Sequence, residues 1–137
     1  MTVRFADPEP NGLADLVGRL IETNLEADPD RRSLLHDTVV RLRASDAATE
    51  ATITLSIAGV AVSNGPVDRR PHLILVAEAY DLIELAGAPL RFGLPDALHP
   101  RGRAVIRRIA TGRVRVSGML RHPIRLSRFT RLLSVVP

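Results

Sequence analysis

The side chains able to do chemistry are few and scattered along the chain. Four histidines, His36, His72, His99 and His122, are each more than 20 residues apart, with none of the local spacings by which neighbouring imidazoles hold zinc. Cysteine is absent, which excludes disulfides, thiolate metal sites and cysteine nucleophiles. Glu78, Asp81 and Glu84 fall at i, i+3 and i+6 and would share a helix face. Paired carboxylates can divide acid and base roles, but a run of this kind is ordinarily a solvated face. The glycines of "LAGAPLRFG" follow no phosphate-loop pattern, and no G-x-S-x-G, Walker loop or G-x-G-x-x-G occurs. These residues predict no catalytic centre, no metal site and no cofactor.

Charge is the other chemical signal. Residues 1 to 96 hold nine Arg against fifteen acids, and residues 97 to 137 hold ten Arg and no acid, so the chain is electrically two-faced. Lysine is absent, which fits the codon habit of a GC-rich bacterial genome better than a guanidinium code. The stretch "ATGRVRVSGMLRHPIRLSRF", 110 to 129, sets five arginines among aliphatic residues without an acid. Phosphates of nucleic acid would answer such a surface with a steep salt dependence. However, Phe5, Tyr80, Phe92 and Phe129 are the only aromatics, too few for a base-stacking platform, and no helix-turn-helix signature is present, so nucleic acid is the minor alternative. An anionic membrane surface or an acidic protein partner, met through Arg121, Arg125, Arg128 and Arg131, suits the pattern better; an anionic leaflet attracts each well-placed basic residue by about 1 kcal/mol. The plain alternative is a solvated face.

The elements that carry these residues follow from apolar periodicity. Leu13, Leu16, Val17, Leu20, Ile21 and Leu25 repeat at helical spacing behind Asn11 as N-cap, predicting a helix over 12–27 that "ADPD" stops. "TVVRLRA" (38–44) and "ATITLSI" (51–57) read as strands, the second with Ile53, Leu55 and Ile57 on one face. Gly59 and "SNGP" bound a short strand over 60–63, and "HLILVA" (72–77) is the next. Leu82, Ile83, Leu85 and Ala86 suit a short helix ending at Gly87. Val105, Ile106, Ile109 and Ala110 mark another over 101–111, ended by Gly112. "RVRVSG" alternates Val114 and Val116 inward against Arg113 and Arg115. Pro123 then opens a last helix with Leu126, Phe129, Leu132 and Leu133 on its apolar stripe. At 137 residues this is one domain with a core of its own, an α+β fold with helices on one face of a mostly antiparallel five-stranded sheet. Residues 1–11, without an apolar run, read as a flexible N-terminus, and with no signal peptide or long apolar stretch the expectation is a soluble cytoplasmic protein.

From Thr38 to about Val135 the chain resembles the sterol carrier protein 2 family. The likeness rests on "ATITLSIAGVAVSNGPVDRRPHLILVAEAYDLIELAGA" and "AVIRRIATGRVRVSGMLRHPIRLSRFTRLL". Within these, Gly112, Val114, Val116 and Gly118 match that family's glycine-bounded strand, and Tyr80, Asp81, Leu82, Leu85 and Ala86 match its strand-to-helix passage. The resemblance implies a five-stranded sheet and an apolar tunnel between sheet and helices for sterols, fatty acyl chains or other lipids, in stand-alone carriers or in modules appended to enzymes. Two departures stand out: Met119, Leu120 and Arg121 follow Gly118 where the family often has an acid or amide, and the loop "APLRFGLPDALHPRG" is long and proline-bearing.

The aromatic-poor composition bears on that tunnel. An empty cavity of about 300 Å³ would cost on the order of 7 kcal/mol, comparable with the roughly 5–15 kcal/mol net stability of a domain. A hollow of that size is therefore expected to be filled by ligand or to collapse without it. The residues from which its walls would be drawn are Leu16, Leu20, Ile53, Leu55, Leu75, Leu82, Leu85, Ile106, Ile109, Leu126, Phe129 and Leu133, each of which also reads as plain core. The expected function is non-enzymatic binding or transfer of an apolar ligand; the alternative is an interaction or accessory module that keeps the fold and closes the pocket.

Overall fold

The computed structural model describes residues 3–82, 90–91, 94–95, 98 and 100–134. Its main sheet has six strands: β1 (Val3–Phe5), β2 (Thr38–Ala44), β3 (Thr49–Ser56), β4 (Gly59–Asn64), β5 (Leu73–Ala77) and β8 (Val114–Ser117), in the order β1-β4-β3-β2-β5-β8. Two short strands, β6 (Leu90–Arg91) and β7 (Leu94–Pro95), form a separate ribbon. Helix α1 spans Gly12–Ala27 and is followed by a 3₁₀ segment, Pro29–Leu34; α2 spans Pro100–Ala110 and α3 Pro123–Leu133. A helical turn also covers 79–82. The rest of the short helix expected up to Gly87 lies outside the described residues.

The sheet corrects the mostly antiparallel five-stranded expectation in two ways. First, β2 pairs antiparallel with β3 but parallel with β5, and β1 pairs parallel with β4, so the sheet is mixed. The β3–β4 hairpin is an excursion from which the chain returns to the other side of β2. Second, the N-terminal residues are not a loose tail. Val3, Arg4 and Phe5 lie opposite Val60, Ala61 and Val62, and the segment after β1 is stitched to β4. The Asn64 amide donates to Asp7 Oδ2 at 2.7 Å and its side chain to the Glu9 carbonyl at 3.0 Å. Asn11 caps α1 by accepting from the Ala14 amide at 2.8 Å, while its Nδ2 donates to the Glu50 carbonyl at 2.8 Å. One asparagine thus starts the helix and fixes it to the sheet.

Period-two alternation puts Val40, Leu42, Ile53, Leu55, Val60, Val62, Leu73 and Leu75 on one face, all buried. Against this face α1 lays Leu13, Ala14, Val17, Ile21 and Leu25, at about 1.5–3 kcal/mol for each large side chain removed from water. Helix α3 packs on α1 and on the 3₁₀ segment, bringing Leu126, Phe129, Leu132 and Leu133 into the same core. Ile57, expected inward, sits in the β3–β4 turn at 89% exposure, because the strand ends at Ser56. The opposite sheet face has no helix of comparable contact among the described residues; it carries Arg4, Arg41, Arg43, Thr54, Ile74, Val76, Arg115 and Ser117, half-buried or exposed.

Candidate functional site

The face that could hold an apolar ligand is the one between sheet and helices. Ile53, Leu55 and Leu75 are buried at its floor, and Leu126, Phe129 and Leu133 are buried on α3. Leu20, Leu82 and Ile109 are partly buried and pack against this cluster, so nine of the twelve expected wall residues come together. Leu16 at 46% exposure and Ile106, also exposed, turn toward solvent instead, and Leu85 lies outside the described residues. Helix α1 is rolled about its axis relative to the expected stripe, burying Ala14, Gly18 and Asn24 in place of Leu16. Gly18 explains the roll: a Cβ there would stand 2.6 Å from the Phe5 ring, so the helix approaches β1 and β4 on its small-residue side.

Two polar side chains of this layer tie its elements together. Asn24 is buried and its Nδ2 donates to the Leu132 carbonyl at 2.8 Å, tying α1 to the end of α3. Arg31 donates to the carbonyls of Arg131 and Ser134 and fastens the same helix end to the 3₁₀ segment. Replacing Asn24 with Ala leaves the Leu132 carbonyl without its partner, and a loss of about 1–3 kcal/mol in unfolding free energy is expected; urea denaturation measures it directly.

Asp81 departs from the solvated-face expectation. Its side chain is fully buried and takes the Arg113 guanidinium at 3.3 Å, joining the 79–82 turn to the residue before β8. Spacing along the helix could not show this, because the partner lies 32 residues away. Among the described residues no three His, Asp or Glu side chains gather as a metal site, and no helix is long and apolar enough to cross a membrane.

No family model matches the sequence, and no curated protein is significantly similar to it. Solved structures do match its fold. A UbiJ-SCP2 ubiquinone synthesis protein superposes over 88% of this chain and 92% of its own with a TM-score of 0.61 at 21% identity. A crystal structure of sterol carrier protein 2 matches over 87% of this chain and 94% of its own, with a TM-score of 0.51 at 8% identity. The fold is that of sterol carrier protein 2. The stereoselective inverting sec-alkylsulfatase Pisa1 from Pseudomonas sp. contains a similar unit, which covers 80% of this chain but 15% of that one, with a TM-score of 0.54 at 16% identity. The resemblance read from glycines and aliphatics therefore holds at the level of fold. In the sterol carrier protein 2 fold of this chain, Gly112 and Gly118 both adopt positive φ, at 79° and 88°, as their places at the two ends of β8 require.

Proposed function

We propose that this chain binds an apolar small molecule, a sterol, fatty acyl chain or other lipid, in the layer between the sheet and the helices, without catalysing a reaction on it. The observation that carries this reading is the match to sterol carrier protein 2 over nearly the whole chain, combined with an aliphatic layer in which Phe129 is the one fully buried aromatic side chain among the described residues. Binding of this kind is driven by apolar burial at about 25 cal/mol per Å², with few polar groups to fix orientation. A second reading, an accessory module with a closed pocket, draws support from the alkylsulfatase, where a similar unit makes up a small part of a large chain.

Native mass spectrometry of freshly purified protein separates the two. A stoichiometric adduct in the lipid mass range, released by solvent extraction, is the outcome expected of a carrier. Bare protein that also fails to take up a fluorescent fatty acid would leave the accessory-module reading in its place.

A further inference from the structure

The sheet face opposite the apolar layer carries a groove of about 520 Å³ lined by Arg41, Arg70, Pro71, His72, Ile74, Ser117, Gly118, Arg121 and His122. Its floor is one row across three strands, since Arg41 is paired in register with Ile74 and Ile74 with Ser117. Its walls are the segment leading into β5 and the turn leaving β8. Three guanidinium groups and two imidazoles converge here, and no acid lines the groove.

Some arginines of the chain are neutralised by a neighbouring acid and others are not. Arg19, Arg31, Arg43, Arg69 and Arg113 each meet a carboxylate, whereas Arg41, Arg70 and Arg121 have no ion pair among the described residues. Arg41 Nε is buried without a hydrogen-bond partner, and a desolvated donor of that kind is costly unless something accepts from it. The imidazoles add donors. His72 Nδ1 accepts from the Val39 amide at 2.9 Å, which leaves its proton on Nε2. Burial, then Arg125, His122 and Arg69, hold His72 below the ordinary imidazole value, opposed by Asp37. The His122 ring stands edge-on to His72 at 5.1 Å, and its Nδ1 faces Arg125 at 3.3 Å. Three guanidinium groups and two imidazoles thus line a space without a carboxylate, a setting that suits a phosphoryl oxyanion.

The rim of the groove says where that oxyanion comes from. The His122 amide donates to the Gly118 carbonyl at 2.8 Å, closing a turn whose outer residues are Met119, Leu120 and Arg121. Leu120 is 94% exposed, Ile124 at the start of α3 is 63% exposed, and Met119 is exposed as well. A soluble phosphate ester has no use for three apolar side chains beside its site. A bilayer has, because apolar side chains enter the acyl boundary while basic groups hold the headgroups.

We propose that this corner docks the protein on an anionic phospholipid surface, with one lipid phosphate in the Arg41–Arg70–Arg121 groove and Met119, Leu120 and Ile124 in the headgroup boundary. The inference requires no cargo in the apolar layer, so it stands or falls separately from the carrier reading.

Co-sedimentation tests it, using the full chain with phosphatidylcholine vesicles with and without phosphatidylglycerol. Binding only to the anionic vesicles, weakening as salt rises, is expected. Arg70→Gln and Arg121→Gln should each lower the affinity about fivefold, the effect of removing one basic residue near the surface, and Leu120→Asp should lower it at least as much. Arg32→Gln removes the same charge on the exposed 3₁₀ segment and should stay within about twofold. All four side chains are exposed, so thermal melts should show intact folds. Equal losses for Arg32→Gln and Arg121→Gln would overturn the proposal in favour of diffuse attraction to a basic surface. Absence of vesicle binding would overturn it too, and calorimetry with inorganic pyrophosphate would then show whether the groove takes a soluble phosphate instead.

Discussion

Truncating Phe129 to Ala should lower the unfolding free energy by about 3–5 kcal/mol. The side chain has no exposure and sits mid-way along α3, in a core otherwise built from Leu, Ile, Val and Ala. The surrounding aliphatics are held by a stitched sheet and by an α1 that is capped, pinned at Asn11 and tied to α3 through Asn24, so they have little freedom to collapse into the space. A loss of this size is a large part of the roughly 5–15 kcal/mol expected for a domain, and the urea midpoint should fall accordingly. Phe129→Leu, which keeps most of the volume, should recover most of the stability. The truncation also tests the carrier reading: a new void beside Leu126 and Leu133 should take up additional apolar probe if the layer is ligand-accessible. A cost below about 1 kcal/mol would mean that the ring already borders empty space.

Gly118→Ala is the second change with a large expected effect, about 2–4 kcal/mol. Two penalties combine. The residue sits at φ 88°, where an L side chain is strained. An added Cβ would also lie well inside contact distance of the His72 carbonyl oxygen. That oxygen belongs to backbone which cannot swing away, because the His72 amide donates to the Val39 carbonyl at 2.8 Å while its ring accepts from the Val39 amide. The end of β8 must therefore move, and the pairing of Ser117 with Ile74 goes with it. Gly112 supplies the control. Its φ is 79° but nothing lies within 4 Å of a Cβ there, so Gly112→Ala should cost only the conformational term, about 1 kcal/mol. Urea denaturation of the two variants side by side separates close approach from backbone strain; equal costs would remove the His72 contact from the explanation.

The parts legible in the sequence are those written in local periodicity. Helix α1 runs over the residues that Asn11 and the "ADPD" stop delimit, and β2, β5, β8 and α3 lie within a residue or two of their alternation and capping signals. Strand β1 escaped because three residues ahead of Pro8 show no period, and their strand character comes entirely from β4, more than fifty residues on. Missing β1 also hid the roll of α1, since it is the Phe5 ring that draws Gly18 inward and leaves Leu16 outside. Parallel pairing of β2 with β5 was illegible for the same reason: alternation tells which face a residue takes and says nothing of the neighbour's direction. The expected wall residues were legible only as apolar positions, which is also what a plain core looks like. The cationic groove was legible only as an excess of arginine, because Arg41, Arg70 and Arg121 become neighbours through the register of three strands.

The sheet ends in two short strands, β1 with three residues and β8 with four. An open strand edge offers unpaired amides and carbonyls to any other extended chain, and long apolar edges invite molecules to join side by side into aggregates. Here Pro8 and Pro10 stop the first edge from lengthening, and the second carries exposed Arg115, with Arg113 just before it held by Asp81. Two molecules approaching through β8 would bring their Arg115 cations together before any ladder could form. The charge at this edge thus also disfavours strand-to-strand pairing between copies of the chain.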